Sequence, residues 1–382
     1  MIILKGGTVM PMHTDPFVGD VAFENGKIVE LGADLIGGDA EIVDVKGKYI
    51  LPGLVDPHSH IGLQETGSRE VDHNEKGVPI TPEMRAIDAI HPGDPAFEEC
   101  RRLGITTAVT GPGSINLIGG TFAAIKTAGT TVKQICLRDS VAMKMALGEN
   151  PKFRYSELGK EPHSRMGSAA MIRIALTKAY EYNAHKISGK LAEVDLKMEA
   201  LAGVLRGDIP MKIHCHRADD IETAIRIMNE FGIRYTLDHC SEGYLIPDTL
   251  HDALKDKCNG IIIGPIISFA RKLECRYKLR TQYAAKLYEQ KLPFAMCSDF
   301  PDSTPECLML AAALGVAEGV PEDIALRSIT IDAARVTGIA DRVGSLAPGK
   351  DADIAVFSGN PLNCLNPCCA TYIDGRQVYR RD

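Results

Sequence analysis

The sequence predicts an α/β protein: a (β/α)8, TIM-like barrel carrying a small β-sandwich domain built from both chain ends. Three observations predict it. Short strands broken by Gly and Asp turns occupy both ends of the chain, and strands alternate with helical stretches between them. Several of the inner strands also finish in His or Asp. The length of 382 residues suits this plan, because a barrel takes roughly 250 residues and leaves about a hundred for a second unit.

At the N-terminal end the expected strands are Met1–Leu4, Asp20–Phe23, Ile28–Leu31 and Glu41–Asp44. Asn25-Gly26 sits between two of them, where a tight hairpin needs residues that tolerate positive φ. The last forty residues repeat the style, with strands at Ala352–Phe357, Ala370–Ile373 and Gln377–Tyr379 and a turn at Asp374-Gly375. Neither end holds enough strand for a core of its own, so residues 1–50 and 343–382 are expected to pair into one composite domain. The barrel is then expected over 51–342.

Within that span the apolar run Tyr49–Val55 leads into the first barrel strand, and Ile105–Thr110 makes another, ending at Gly111-Pro112-Gly113. Residues 168–205 read as helix-rich. Met211–His214, Arg234–Leu237, Gly260–Ile263 and Phe294–Met296 follow as short strands, separated by helical segments such as Ile221–Phe231 and Lys272–Gln290.

Asp56-Pro57-His58-Ser59-His60 follows an apolar strand directly. Residues two apart on a strand face the same side, so His58 and His60 converge at the C-terminal end, where barrel active sites lie. Two such imidazoles make half of a typical zinc site. Later strands end in His214-Cys215-His216, in Asp238-His239 and in Ser298-Asp299. Four such endings on successive strands point to a metal centre.

With those residues in view, the chain resembles the amidohydrolase superfamily along essentially its whole length, and within it the imidazolonepropionase-like and prolidase-like branch. Gly53–His60 is similar to its first-strand motif, Gly104-Ile105-Thr106-Thr107 to its second-strand phrase, and Gly344–Asp353 to its re-entry into the small domain. The resemblance implies that His58, His60, His239 and Asp299 bind metal, completed by His214 or His216. His214 is preferred; His216 is then left for substrate. One or two divalent ions are implied, zinc first, with iron, manganese or nickel also suited to His and Asp ligands. A second ion needs a bridge from the fourth strand, where Lys144, as a carbamylated lysine, and Glu149 are the two options.

The expected activity is hydrolysis of a C–N bond outside an ordinary internal peptide bond, in a cyclic amide, an N-acyl amino acid or a dipeptide. Metal-activated water would attack, with Asp299 as the general base. The alternatives are a metal-dependent deaminase of a heterocycle and a non-catalytic scaffold barrel. Deaminases of this type commonly carry His-x-x-Glu on the fifth strand, and Arg217 occupies that Glu position here.

Other features narrow the partners to small molecules. The net charge is −7, without clustered Lys or Arg, which argues against nucleic acid. No apolar stretch is long enough for a membrane span, and Met1–Gly7 is too short an apolar run for a signal peptide. With eleven scattered cysteines, a cytoplasmic protein with reduced thiols is expected, and a homo-oligomer would be ordinary for an enzyme of this size. Cys364, Cys368 and Cys369 match no zinc spacing. Gly111–Asn116 lacks the residues of a nucleotide loop and is expected to shape the pocket. Glu65, Asp72 and Glu75 read as a solvated face. Arg138, Arg165 and Arg217 are candidates to hold a substrate carboxylate, Arg217 foremost because it follows the strand histidines.

Overall fold

The computed structural model describes residues 1–67, 71–267 and 281–382. Its strands fall into two sheets. One sheet takes β1 (Ile2–Val9), β2 (Phe17–Glu24), β3 (Lys27–Gly32), β4 (Glu41–Asp44) and β5 (Tyr49–Pro52) from the start of the chain. The other takes β6 (Leu54–Ser59), β7 (Ile105–Thr110), β8 (Ile118–Lys126), β9 (Cys136–Ala146), β10 (Met211–Cys215), β11 (Tyr235–His239), β12 (Cys258–Ile263) and β13 (Phe294–Met296). Strands β14 (Ile354–Phe357), β15 (Cys368–Ile373) and β16 (Arg376–Arg380) then return to the first sheet.

In the first sheet the two chain ends meet where β5 pairs antiparallel with β14, Leu51 opposite Ala355. Strand β1 pairs with β4 through Ile2–Lys5 and with β5 through Thr8–Val9, after an irregularity between Leu4 and Gly7. Leu4, Phe23, Ile28, Ile50, Ile354 and Tyr372 fill one core between these strands. The strands expected at both ends therefore lie in a single sheet, each within a few residues of its expected bounds.

The run Tyr49–Val55, expected as one strand, is divided between the two sheets at Gly53. A Cβ at that position would lie 2.1 Å from Thr106 Oγ1. Only glycine lets the chain pass from sheet to sheet so close to its neighbour.

The second sheet runs in chain order from β6 to β13 and is nearly closed. Asp299 N donates to His58 O (3.1 Å) and His60 N to Phe300 O (2.8 Å), tying its two edges together. It departs from eight regular strand–helix units at one place. β8 runs antiparallel to both β7 and β9. The reason is loop length: a parallel crossover takes a dozen or more residues, and only residues 111–117 join β7 to β8. β8 was not expected from the sequence, because Ile118–Lys126 is buried throughout and shows no alternation.

Helices cover the remaining connections: α1 (Pro95–Arg102), α2 (Val132–Ile135), α3 (Glu149–Glu157), α4 (Arg165–Ile187), α5 (Leu196–Arg206), α6 (Ala218–Phe231), α7 (Pro247–Lys255), α8 (Gln282–Glu289), α9 (Cys307–Ala317), α10 (Glu322–Ser328) and α11 (Ile331–Val336). α6 buries Ile221, Ala224, Ile225 and Met228 at helical spacing and stops at Gly232, whose φ of 67° suits a helix C-terminus. Of the expected helix Lys272–Gln290, the part before residue 281 lies outside the described residues.

A buried ion network joins the two sheets. Lys126, at the end of β8, reaches Asp351 (2.9 Å) and Asp353 (2.5 Å), and Asp351 also takes Lys27 and Arg342. Every charge in this network has a partner, as burial requires.

Candidate metal centre

His58, His239 and Asp299 are all buried, and one ligand atom from each lies within 4.8 Å of the others. Asp299 Oδ1 is 3.5 Å from Nε2 of both His58 and His60. The imidazoles of His58 and His60 lie edge to face, their centroids 5.4 Å apart, as the period of two on β6 implies.

Each of these three histidines is wired the same way. Nδ1 of His58 donates to Asp238 Oδ2 (2.5 Å), Nδ1 of His60 to the Gly111 carbonyl (2.7 Å) and Nδ1 of His239 to the Gly264 carbonyl (2.6 Å). An oxygen acceptor at Nδ1 fixes the proton there and leaves the Nε2 lone pair for the centre, the usual arrangement behind metal-ligating histidine. His239 Nε2 is buried without a hydrogen-bond partner. Burial, then the neighbouring His216 and His58, pushes the pKa of His239 well below the ordinary histidine range, so the ring stays neutral. The donor set suits a divalent cation in residue type, convergence and protonation.

Backbone strain helps aim the candidate ligands. His239 and Asp299 both adopt positive φ, 68° and 56°. Asp238 and His239 would face opposite sides of a regular strand. Here both serve the centre, Asp238 on His58 and His239 near Asp299, because the left-handed turn at His239 ends the strand. Such residues persist where the surroundings hold them, and they collect at functional sites.

Beneath these candidate ligands lie charged groups that sequence reading did not single out. Lys212 Nζ pairs with Asp238 at 2.9 Å, and Thr236 Oγ1 donates to the same carboxylate at 3.0 Å. Asp56 accepts from the Ser298 hydroxyl and from the backbone N–H groups of Ser298 (3.2 Å) and His58 (3.3 Å), bracing the segments on both sides of the centre. Burial pushes the Asp56 pKa up to about 7.

Lys144 is fully buried on β9, its Nζ 3.4 Å from His58 Nε2 and 5.4 Å from the centre of the Phe122 ring. Glu149, at the start of α3, lines the same cavity. His214 lines it too, with its Nε2 3.4 Å from the Asn150 amide. His216 stacks on His239 at 5.0 Å and bonds Ser241 Oγ through Nδ1 (2.8 Å), and it does not line the cavity.

Arg217 departs from its expected place. It begins α6 with its guanidinium paired to Asp219 (2.8 Å), outside the cavity lining. A residue at a helix start points along that helix, and the acidic first turn of α6 captures it. Arg138 pairs with Asp341 (2.7 Å) and Arg165 with Asp220 (3.0 Å).

The cavity over the centre has a volume of about 650 Å3. Besides the residues above, Gln64, His73, Asn74, Ser114 and Arg154 line it. Glu65, Asp72 and Glu75 are exposed as expected. Between them His73 turns inward to stack on His60, centroids 5.0 Å apart. Burial, then the neighbouring His60, lowers the His73 pKa to about 3. Among the described residues no other group of His, Cys, Asp and Glu converges in this way. Cys368 is buried while Cys364 is exposed.

The model of the Amidohydrolase family matches residues 49–378. The solved structure of an amidohydrolase from Thermotoga maritima MSB8 superposes with a TM-score of 0.96 at 40% identity, covering 100% of both chains. The amidohydrolase tasK of Hapsidospora irregularis is 30% identical over 94% of this chain, which spans only 40% of that protein's length. An imidazolonepropionase from Geobacillus kaustophilus is 26% identical, covering 94% of this chain and 89% of the relative. The chain belongs to the amidohydrolase family of hydrolases and is similar to its imidazolonepropionase-like branch.

Proposed function

We propose that the protein is a metal-dependent hydrolase of a C–N bond outside ordinary internal peptide bonds, in a cyclic amide, an N-acyl amino acid or a dipeptide. The reading rests on one observation above all: His58, His60 and His239 are buried with Nδ1 on oxygen acceptors, His58 and His60 bring Nε2 to 3.5 Å from Asp299, and His239 gathers with His58 and Asp299. His58, His60, His239 and Asp299 would hold the ion, with His214 preferred over His216 because it lines the cavity. A carbamylated Lys144 is the better candidate for a bridge to a second ion, since its Nζ already lies against His58. Zinc is the first choice of metal for such ligands. The fold fits a TIM-like barrel with one reversed strand over residues 51–342 and a composite β-sandwich domain from 1–50 and 343–382.

A divalent ion bound here supplies Lewis acidity, lowering the pKa of a water and polarising the substrate carbonyl. Asp299 takes the proton of the attacking water and passes it to the leaving nitrogen, its backbone fixed by the bond to His58 O. Asp238 holds the His58 ring, and Lys212 and Thr236 hold Asp238 in place. The buried Phe122 ring packs beside the His58 and His60 imidazoles, and the cavity confines the substrate beside Asp299.

The test is hydrolysis of a panel of cyclic amides, N-acetyl amino acids and dipeptides by purified protein. Activity that disappears on chelation and returns with zinc or manganese is expected. Hydrolysis that survives exhaustive chelation contradicts the reading.

A further inference from the structure

We infer that Arg154, on α3, holds a carboxylate of the substrate, so that the enzyme acts on an N-acyl amino acid or dipeptide in preference to an uncharged cyclic amide. The inference deepens the proposed function and rests on it.

Three polar atoms in the cavity wall carry the argument. Arg154 Nε, Asn74 Oδ1 and His73 Nδ1 are each buried without a hydrogen-bond partner, and all three residues line the cavity over the metal centre. A buried polar group left unmade costs stability, and several such groups on residues that line one cavity mark a place where a ligand completes the bonds. The other candidate arginines are already committed to carboxylates, Arg138 to Asp341, Arg165 to Asp220 and Arg217 to Asp219. Arg154 is the one arginine among the described residues lining this cavity. Glu157, three residues on, is exposed, and no ion pair joins the two.

The wall is built to hold its shape. Tyr155 donates to Asn116 Oδ1 (2.6 Å), and Asn116 in turn donates to Thr81 Oγ1 (3.0 Å), pinning α3 to the loop after β7. Asn150 donates to Ser114 Oγ (2.5 Å) one helical turn before Arg154 and lies 3.4 Å from His214. Four residues along a helix advance about 6 Å, so Arg154 stands roughly one amino-acid residue beyond the metal end of the helix. On the opposite wall, Gly113 N donates to His73 O (2.6 Å), and a Cβ on Gly113 would lie 2.5 Å from Asn74 Oδ1. Glycine there lets Asn74 and His73 sit at the pocket surface.

The unmet bonds describe the ligand. A guanidinium calls for an anionic acceptor, with a carboxylate the best geometric match. The free Asn74 oxygen calls for an N–H donor. An N-acyl amino acid or dipeptide offers both, with its carboxylate one residue from the scissile carbonyl.

The test compares N-acetyl amino acids and dipeptides with the same compounds as carboxamides, and with hydantoin and dihydrouracil, using zinc-loaded wild type, Arg154→Met, Arg154→Lys and Arg217→Ala. In wild type kcat/KM should favour carboxylate over carboxamide by about ten- to a hundredfold, the range of a charged hydrogen bond. That ratio should fall to near one in Arg154→Met, recover in part in Arg154→Lys and persist in Arg217→Ala. A structural defect would lower both rates together and leave the ratio intact. A wild-type ratio near one, a ratio unmoved in Arg154→Met, or a preference for the uncharged cyclic amides overturns the inference while the hydrolase reading stands. If no compound is hydrolysed, calorimetric titration with the N-acetyl amino acids decides the point alone. Binding lost in Arg154→Met supports the carboxylate site, and no binding to wild type overturns it.

Discussion

Two of the buried polar clusters among the described residues are finished differently. Lys126 with Asp351 and Asp353 joins the two sheets, and its charges are matched: one ammonium meets both buried carboxylates and also Asp374 (3.5 Å), and Asp351 meets Lys27 and Arg342 as well. The histidine cluster at the ends of β6 and β11 is organised to leave nitrogen lone pairs turned inward, with His239 Nε2 unpartnered in the interior. A network that satisfies itself stabilises the fold. One held open by bonds on its far side is prepared for something that arrives later.

Substitutions that act on only one cluster sharpen the contrast. The largest effect is expected at Asp299→Asn, which should lower kcat/KM by about a hundred- to ten-thousandfold. Its circular dichroism and melting temperature should stay near wild type. Lys126→Met should do the reverse, because it leaves Asp351 and Asp353 buried without their shared cation. A loss of about 3–5 kcal/mol in urea unfolding is expected, with kcat of the folded fraction preserved. If Lys126→Met abolished activity in fully folded protein, the two clusters would not be separate.

Asp238→Asn should be milder than Asp299→Asn. It keeps the shape but weakens the hold on His58 Nδ1, and competition with a chromogenic chelator should read a metal affinity about ten- to a hundredfold lower. The smallest effect is in pH. Burial pushes the Asp351 carboxyl up, but the hydrogen bond from Arg342 and the charge of Lys126 outweigh it and hold its pKa down to about 2. A carboxylate depressed in the folded state contributes stability that is present above about pH 4 and lost as pH falls toward 2. Urea midpoints between pH 5 and 2 should fall in that window for wild type and fall less for Lys126→Met.

How far the sequence could be read follows from the same contrast. Where a rule of local geometry applied, it worked: the period of two joined His58 to His60, and hairpin turns drew both chain ends into one sheet. The short link 111–117 already required an antiparallel return, but β8 carries no alternation, so the reversed strand was not recognised. Arg217 followed the strand histidines in sequence, yet the start of α6 turned it to Asp219. His73, Asn74 and Arg154 reach the cavity from a loop and a helix whose positions depend on tertiary contacts with residues 113–116, and nothing in their own neighbourhoods announced it. Asp238 was hidden by its neighbour, because strand alternation assigns it to the face away from His239.

If the open cluster is a metal centre, protein reconstituted with zinc must retain the ion, which elemental analysis measures directly. Wild type, Lys144→Ala and a His58→Ala/His239→Ala double variant should be measured in parallel after removal of loose metal. About two ions per chain are expected in wild type, about one in Lys144→Ala, and essentially none in the double variant. Wild type that retains no zinc, or a double variant that retains as much as wild type, would contradict the metal centre.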